Sequence, residues 1–335
     1  MQRDYLGAKK ISTVYFGGGT PSLLTIEEML GLFEELSTHF SIHPDAEITL
    51  EANPDDLTPG KLNELVHSPI NRLSVGIQSF RDEDLKLLNR VHSANEALAS
   101  VRNAQIAGFE NITIDLIYGI QGLTNDAWRK NIEMALKLHV PHISCYSLTV
   151  EPKTPLHSFI KSGKIAAANP QQSAEQFEIL MEEMSRNHFI HYEISNFCKE
   201  DFYSKHNSNY WKGEEYLGLG PSSHSYNGGS RQWNVKSNTA YVRSVEKGIV
   251  PFEKEILTEA QRYNEYVLIS LRTIWGLDTR HVQRSFPKKY SQHLQDEKRS
   301  HLDNGLLAEK GSVMILTQKG KLFADKIASD LFIPS

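Results

Sequence analysis

The sequence has little cysteine and no long apolar run. Its 335 residues include two cysteines, Cys145 and Cys198, which excludes a disulfide framework and fits a reducing compartment. No stretch approaches the roughly 18 consecutive apolar residues of a membrane-spanning helix. The first residues also lack the apolar core of a signal peptide. We therefore expect a cytoplasmic protein with no transmembrane segment.

The sequence also lacks a strong excess of one charge. Its 36 basic and 41 acidic residues give a formal net charge of −5, so nothing global favours nucleic acid or an anionic membrane as a partner. A basic stretch near the C-terminus is interrupted by Asp296 and Glu297, which favours a solvated surface over a DNA-binding one. Its members are Arg280, Arg284, Lys288, Lys289, Lys298 and Arg299. We predict no nucleic-acid partner, and a DNA-binding regulator is the weakest of three functional hypotheses.

Strand-like and helix-like segments alternate from residue 11 to about residue 194, which indicates an α/β fold with a parallel sheet, open or closed into a barrel. The strand candidates are Thr13–Phe16, Glu47–Glu51, Arg72–Gln78, Asn111–Tyr118, His142–Leu148 and His191–Ile194. Capping pairs predict helix starts at Thr25 with Glu28, Ser93 with Glu96, Ser173 with Gln176 and Thr258 with Gln261. Thr124 predicts a further helix start, and Gly108 predicts the end of the helix that Ser93 opens.

Three of the strand candidates alternate apolar and polar residues. Strands of a parallel sheet that are buried on both faces are normally apolar almost throughout. We expect the apolar face to meet the helices and the polar face to line a cavity for a polar ligand. Glu51, Gln78 and Asp115 lie near the carboxyl ends of their strands, where the sites of barrel enzymes lie. A sheet with one solvated face is the alternative.

Three glycines, Gly17, Gly18 and Gly19, follow the first strand candidate and precede Thr20. Glycine has no Cβ, so it allows a positive φ and lets a ligand approach the backbone. The stretch lacks the spacing of a dinucleotide fingerprint and the lysine of a P-loop. It is either a surface for a small polar molecule or a plain turn between a strand and a helix.

At this point the sequence resembles a known family, the oxygen-independent coproporphyrinogen III oxidase-like radical S-adenosylmethionine proteins. The motifs that carry the resemblance occur in the family's order, and the match runs over nearly the whole chain. They are Tyr15-Phe16-Gly17-Gly18-Gly19-Thr20-Pro21, Leu50-Glu51-Ala52-Asn53-Pro54, Ser74-Val75-Gly76-Ile77-Gln78-Ser79-Phe80, Leu88-Asn89-Arg90 and Ile114-Asp115-Leu116-Ile117-Tyr118-Gly119. Within the family, His206-Asn207-x-x-Tyr210-Trp211 resembles the H-N-x-x-Y-W signature of the HemW-type heme chaperones, which the oxidase proper lacks.

The resemblance implies an incomplete (β/α)6 radical S-adenosylmethionine barrel, a connecting region and a small C-terminal winged-helix-like α+β module. We place these parts at residues 1–195, 196–257 and 258–335. The connecting region is loop-rich and would hold the heme-binding residues. The implied S-adenosylmethionine contacts are Gly18, Gly19, Thr20, Glu51, Gln78, Arg90 and Asp115. The glycines would offer backbone to the methionyl group, and Arg90 could bind its carboxylate as a fork.

The sequence departs from the family at the iron–sulfur cluster. The family holds a 4Fe–4S cluster with C-x-x-x-C-x-x-C near its N-terminus, and cluster ligation needs cysteine thiolates. Neither Cys145 nor Cys198 lies in that spacing. The sequence as given cannot hold the cluster, and it also lacks the first βα unit of the barrel. We expect a truncated chain, with a cluster-free relative as the alternative, and whether it is an enzyme stays open.

The function that the resemblance implies is that of a heme-binding chaperone, with an unidentified heme-accepting protein as its partner. His206 would ligate the heme iron, with Asn207 in the same motif, and Tyr210 and Trp211 would supply flat apolar surface for the macrocycle. A loop histidine bonded to backbone is the alternative for His206. The alternative function is oxygen-independent coproporphyrinogen III oxidation, a step of porphyrin biosynthesis, in a longer form that bears the cluster.

Overall fold

The computed structural model describes residues 1–7 and 9–334, which form two compact units. The sheet unit comprises Ile11–Thr38 and Ile42–Tyr203. The C-terminal unit comprises Met1–Lys10, His39–Ser41 and Ser204–Ser335. The predicted division at residues 195 and 257 stays a prediction.

A curled, mixed sheet of seven strands forms the centre of the sheet unit. The strands are β1 (Ile11–Phe16), β2 (Ile42–Ala52), β3 (Arg72–Gln78), β4 (Ile112–Tyr118), β5 (His142–Ser147), β6 (Ile190–Glu193) and β7 (Asn196–Cys198). They lie in the order β1-β2-β3-β4-β5-β7-β6. Neighbours from β1 to β5 are parallel, whereas β7 is antiparallel to β5 and to β6. The predicted α/β class is confirmed.

Helices connect these strands. They are α1 (Ile26–His39), α2 (Pro59–Leu65), α3 (Asp82–Leu87), α4 (Ala94–Ala107), α5 (Asn125–Lys137), α6 (Pro155–Lys161) and α7 (Pro170–Arg186), with 3-10 turns at Pro21–Leu23 and Pro54–Asp56. Ser93 and Glu96 form the predicted capping box of α4, and Gly108 ends that helix with a φ of 109°. Thr124 caps α5, as predicted.

The two faces of the sheet differ as the alternation predicts. Leu73, Val75, Ile112 and Ile114 are fully buried, and the helices α4 and α7 contact β3 and β4. Removing such side chains from water contributes about 25 cal/mol per Å² of apolar surface. Most intervening positions of β2 to β5 carry polar side chains, and Gly76 and Ile117 are exceptions. This polar face holds the candidate site.

One predicted helix start is wrong. The helix α7 begins at Pro170. The side chain of Asn169 caps it by accepting the N–H groups of Gln171 and Gln172. Proline suits the first helical position because the N–H it lacks would have no partner there. Ser173 therefore lies inside the helix. Gln176 is buried and accepts the N–H of Gly119 at 2.7 Å instead of completing a capping box.

Two strands extend the predicted sheet. The strand β2 begins five residues before the predicted Glu47. The prediction missed these residues because Pro44 and Asp45 are types that strands rarely contain. The pairing register between β1 and β2 shifts in this part. The strand β7 has only 3 residues, too few to show a period. Because β7 is antiparallel to its neighbours, the sheet is not purely parallel.

The C-terminal unit contains helices and antiparallel strands. Its elements are α8 (Lys205–Trp211), β8 (His224–Tyr226), β9 (Ser230–Asn234), α9 (Asn238–Val245), β10 (Phe252–Ile256), α10 (Glu259–Leu271), β11 (Leu277–Asp278), α11 (Thr279–Ser285), α12 (Lys288–Asp303), β12 (Leu307–Lys310), β13 (Val313–Leu316), α13 (Gln318–Lys321) and α14 (Ala324–Asp330). The strands form two three-stranded antiparallel sheets, in the orders β10-β9-β8 and β11-β13-β12. Thr258 and Gln261 form the predicted capping box of α10. Among the described residues, no helix combines the length and the apolarity that crossing a membrane requires.

Candidate functional site

A loop of bare backbone follows β1. Gly18 and Gly19 have φ values of 75° and 64°, a region that glycine enters without steric cost. A Cβ built on either residue would meet no atom within 4 Å, so open space adjoins this backbone. Gly17 differs, because a Cβ there would lie 2.5 Å from the ring of Tyr15. The loop therefore has room for a ligand at Gly18 and Gly19 but not at Gly17.

Glu51, at the carboxyl end of β2, holds this loop. One carboxylate oxygen accepts the N–H of Gly18 at 3.0 Å, and the other accepts the hydroxyl of Tyr15 at 2.6 Å. Burial, followed by the charge of Glu51, raises the pKa of Tyr15, so its hydroxyl stays a donor. Sequence reasoning missed this role of Tyr15. Its polar tip within the apolar run of β1 is the signal that could have shown it.

Asp115 lies on β4 beside Ser144 of β5. Burial raises the pKa of Asp115 to about 7, a hydrogen bond with Ser144 opposes this, and the charge of Glu51 adds to the increase. The carboxyl group therefore exchanges its proton near neutral pH. It can accept or donate a hydrogen bond toward a ligand hydroxyl.

Arg90 supplies a cation to the same edge of the sheet. Burial lowers the pKa of Arg90, whereas the charges of Asp115 and Asp55 raise it. One guanidinium nitrogen, Nη1, lies 3.4 Å from the side-chain oxygen of Asn53. Arginine remains protonated in such surroundings, and its planar fork suits a carboxylate ligand.

Gln78 and Thr20 complete the predicted set. Gln78 ends β3 with a φ of 69° and pairs in register with Leu116, the neighbour of Asp115. A Cβ on Gly76 would lie 2.8 Å from the Gln78 amide nitrogen, so glycine leaves room for this side chain to fold back over the strand. Thr20 opens the turn Pro21–Leu23, and its side chain makes no capping bond there.

We call the seven residues Gly18, Gly19, Thr20, Glu51, Gln78, Arg90 and Asp115 the edge site. The structure brings Gly18 into a hydrogen bond with Glu51, and it makes Glu51, Arg90 and Asp115 electrostatic neighbours. Gly19 and Thr20 belong to the same loop, and Gln78 lies at an adjacent strand end. Their role as ligand contacts stays a prediction.

A buried polar cluster that the sequence did not reveal lies on the same face, toward the amino ends of the strands. The guanidinium of Arg72 lies 3.8 Å from the carboxylate of Glu47, and both side chains are almost fully buried. Arg72 also donates to the hydroxyl of Thr113. His142 contacts the hydroxyl of Tyr192 at 2.8 Å, and burial, followed by the charge of Arg72, lowers the pKa of His142. We call these five residues the inner cluster.

A second set of hydrogen bonds connects Ser144, the neighbour of Asp115, to β7. The Ser144 hydroxyl donates to the side-chain oxygen of Asn196 at 2.5 Å, and the Asn196 amide donates to Glu193. The N–H of Ser195 also donates to Glu193, at 3.2 Å. Ser144, Asn196 and Glu193 are buried. These hydrogen bonds fix the position of Ser144 beside Asp115. They were not predicted, because the strand β7 was not predicted.

The residues of the second candidate site lie on one short helix of the C-terminal unit. The hydroxyl of Ser204 caps α8 by accepting the N–H of Asn207 at 3.2 Å. His206 and Tyr210 are four residues apart and so share one helix face. Ser208 is buried, whereas Tyr210 is 50% exposed. The histidine therefore lies next to an accessible aromatic ring.

Trp211 is engaged differently from Tyr210. The guanidinium of Arg272, which follows α10, lies 5.8 Å from the centre of the Trp211 ring. The Tyr210 and Trp211 rings are nearly perpendicular, at 86°, with their centres 5.3 Å apart. Trp211 thus packs against the end of α10 and supports Tyr210 from one side.

The two cysteines do not form a cluster site. Cys145 and Cys198 are both free and buried. Burial raises the pKa of both thiols, that of Cys198 to about 12, which disfavours the thiolates that iron needs. Among residues 1–7 and 9–334, no group of three or more His, Cys, Asp or Glu side chains is placed to hold a metal ion.

Comparisons with known proteins bear on the family to which this chain belongs. A model of the Radical SAM superfamily matches residues 2–135. The heme chaperone HemW of Bacillus subtilis (strain 168) is 35% identical over 327 residues, which cover 96% of this chain and 85% of that protein. The heme chaperone HemW of Mycobacterium tuberculosis (strain ATCC 25618 / H37Rv) is 34% identical over 327 residues, which cover 97% of this chain and 82% of that protein.

The fold is similar to that of an experimental structure, coproporphyrinogen III oxidase (HemN) from Escherichia coli, described as a radical SAM enzyme. The TM-score is 0.83 at 22% identity, over 97% of this chain and 78% of that chain. At this identity the likeness concerns the fold alone. The family follows from the sequence relatives, which match nearly end to end. The chain belongs to the HemW heme chaperone family of the radical SAM superfamily.

Proposed function

We propose that this chain binds heme through His206 and passes it to another protein. The observation that carries the proposal is the helix α8, which places His206 on the same face as the exposed ring of Tyr210. A neutral imidazole is a common axial ligand of heme iron, and a flat aromatic ring suits a porphyrin face. The heme chaperones named above, which share about a third of their sequence with this chain, support the same conclusion.

In this proposal the residues of α8 have different roles. His206 holds the iron, and Tyr210 contacts the macrocycle. Trp211 positions Tyr210 through its packing on Arg272, and Asn207 secures the first turn through its N–H bond to Ser204. The ring of Tyr210 is half exposed, as a surface that releases its heme to a partner requires.

We also propose that the edge site binds S-adenosylmethionine. Its support is the fit of the residues: Gly18 and Gly19 leave open backbone, and all seven residues fall within the matched superfamily range. Arg90 would bind the carboxylate of the ligand, and Glu51 and Asp115 would accept from its hydroxyl or ammonium groups. Bound S-adenosylmethionine supplies radical chemistry only together with an iron–sulfur cluster. Cys145 and Cys198 do not fit such a cluster, so the described residues account for binding alone.

Two finer features of the fold belong to the same proposal. The sheet unit would be an incomplete (β/α)6 barrel. The elements from α10 to α14 would form a winged-helix-like module, because helices alternate there with a three-stranded antiparallel sheet.

A hemin titration tests the main proposal. We expect a shifted Soret band that saturates at one hemin per chain and is lost in His206→Ala. His224→Ala is the matched control, because it removes another histidine of the same unit and should leave the band unchanged. Absence of a shifted band in the wild type would refute the proposal. Delivery is then tested by mixing the heme-loaded protein with an apo-hemoprotein and measuring the absorbance band of the acceptor once it holds heme.

A further inference from the structure

A short turn follows β2, and side chains in and beside it contact other segments of the edge site. The turn is Pro54–Asp56, and Asn53 precedes it. The side-chain oxygen of Asn53 accepts an N–H of Arg90 at 3.4 Å. One carboxylate oxygen of Asp56, Oδ2, accepts the hydroxyl of Ser22 at 2.6 Å and the side-chain amide of Asn53 at 3.5 Å. We call Ser22, Asn53 and Asp56 the bridge.

The bridge connects the turn after β2 to the glycine loop that carries Gly18 and Gly19. Ser22 is buried and follows Gly19 closely in the chain. The same loop is held a second time where the N–H of Gly18 donates to Glu51. The backbone of Gly19, which adjoins open space, therefore lies between two fixed points. A loop that is fixed in this way loses less conformational entropy when a ligand binds.

The bridge also orients Arg90. The Asn53 amide accepts from Arg90 with its oxygen and donates to Asp56 with its nitrogen, so it is held on both sides. These two bonds are at the long end of hydrogen-bond distances, whereas the bond between Ser22 and Asp56 is short. The contact with Asn53 uses one nitrogen of the guanidinium and leaves other N–H donors for a ligand carboxylate.

We propose that the bridge positions the glycine loop and Arg90 for the amino-acid end of S-adenosylmethionine. The inference rests on the proposed binding of that ligand at the edge site, where the glycine loop would contact the methionyl group and Arg90 its carboxylate. Asp56 is the residue at which both branches meet, because Ser22 and Asn53 donate to the same oxygen. It is a positioning residue, which acts through the two segments that it connects.

S-adenosylhomocysteine and 5′-methylthioadenosine are the probes that test this inference, because the second has the adenosine but lacks the amino acid. Asp56→Asn keeps the shape of the side chain and removes the charge from the acceptor that Ser22 and Asn53 share. In calorimetry it should bind S-adenosylhomocysteine about tenfold more weakly, or about 1.4 kcal/mol, and methylthioadenosine as the wild type does. Ser22→Ala removes one branch of the bridge, so it should lose about threefold, again for S-adenosylhomocysteine alone.

Two controls separate the bridge from general effects. Asp55→Asn removes the same charge from the same turn and leaves the bridge intact. Because the charge of Asp55 acts on Arg90, its removal should leave S-adenosylhomocysteine bound as tightly as in the wild type or more tightly. Ser100→Ala removes a similarly buried hydroxyl, which donates to the carbonyl of Ala97 within α4, and should leave both affinities unchanged.

Equal binding of S-adenosylhomocysteine by Asp56→Asn and the wild type would overturn this inference and leave the proposed function standing. Equal losses of both ligands would overturn it as well, because the bridge would then support the fold and not the amino-acid end. If Asp56→Asn does not fold, Ser22→Ala decides by the same two outcomes. A wild type that binds neither ligand would overturn both this inference and the proposed binding of S-adenosylmethionine.

Discussion

The two candidate sites of this protein are built in opposite ways. The edge site collects residues from the loop after β1, from β2, β3 and β4, and from the segment after α3. The α8 site uses residues of one helix of 7 residues, with a single side-chain cap at Ser204. A site of the first kind exists only when the whole sheet is formed. A site of the second kind needs one helix and the surface on which it packs.

Burial separates the two sites further. Polar groups of the sheet unit form hydrogen-bonded chains away from water, so each depends on its partner. On α8, Tyr210 is half exposed and contacts neighbouring rings. Substitutions on the polar face of the sheet should therefore change stability, whereas substitution of an exposed side chain on α8 should change binding.

The largest effect that this comparison predicts concerns Arg72. Arg72→Ala leaves the carboxylate of Glu47 buried without its cation, which should lower the free energy of unfolding by about 3–5 kcal/mol. Urea unfolding followed by circular dichroism measures the change. Arg72→Met combined with Glu47→Leu is the control, because removing both charges should restore most of the stability. A single variant that loses less than the double variant would contradict a role for this ion pair.

The second effect concerns the proton of Asp115. A folded-state pKa near 7 lies above the ordinary carboxyl value of 3.8, so the folded protein holds this proton more tightly than the unfolded chain. Stability due to Asp115 is then present at low pH and is lost as the pH rises from about 4 to about 7. Each pKa unit corresponds to about 1.4 kcal/mol, so Asp115→Asn should stabilise the protein by roughly 4 kcal/mol at pH 8, and the gain should vanish toward pH 4.

Thermal unfolding at several pH values measures that gain. Glu110→Gln is the control, because Glu110 is exposed and its substitution should give no pH-dependent gain. A gain for Asp115→Asn that is the same at pH 5 and pH 8 would show that it does not arise from this proton.

Much of the sheet unit could be predicted from the sequence, because its strands alternate and its helices carry caps. β3 was predicted to the residue, and Ser93 and Thr124 cap the helices assigned to them. These signals are local: they depend on side chains two to four residues apart. The positions of Glu51 and Asp115 on the polar face follow from the same period of two.

The parts that could not be predicted depend on contacts between distant residues. Arg72 and His142 begin their strands, where a polar residue is usual and gives no sign of burial. Their partners Glu47 and Tyr192 are 25 and 50 residues away, and nothing local pairs them. The same holds for Asn196, whose contact with Ser144 depends on the short antiparallel strand β7.

The third prediction distinguishes the two aromatic residues of α8. Tyr210→Ala should weaken hemin binding about tenfold, or about 1.4 kcal/mol, with little change in thermal stability, because its ring is half exposed. Trp211→Ala should instead lower stability by about 1 kcal/mol, because it removes the ring that contacts Arg272. Hemin titration and thermal unfolding of both variants decide the matter. A greater loss of hemin affinity in Trp211→Ala would reverse the roles assigned to the two rings.

The smallest predicted effect concerns the glycine loop of the edge site. Gly18→Ala forces a Cβ into a backbone with a φ of 75°, which should cost about 1 kcal/mol of stability. Gly31→Ala is the matched control, and it should change the free energy of unfolding in the opposite direction. Gly31 lies inside α1, where a Cβ would meet nothing within 4 Å, so alanine should stabilise by about 0.5–1 kcal/mol. Because the Gly18 N–H contacts Glu51, the loss in Gly18→Ala should be accompanied by weaker binding of S-adenosylhomocysteine, measured by calorimetry. Equal stability and equal binding of that ligand in both alanine variants would contradict the idea that the loop conformation at Gly18 prepares the edge site for its ligand.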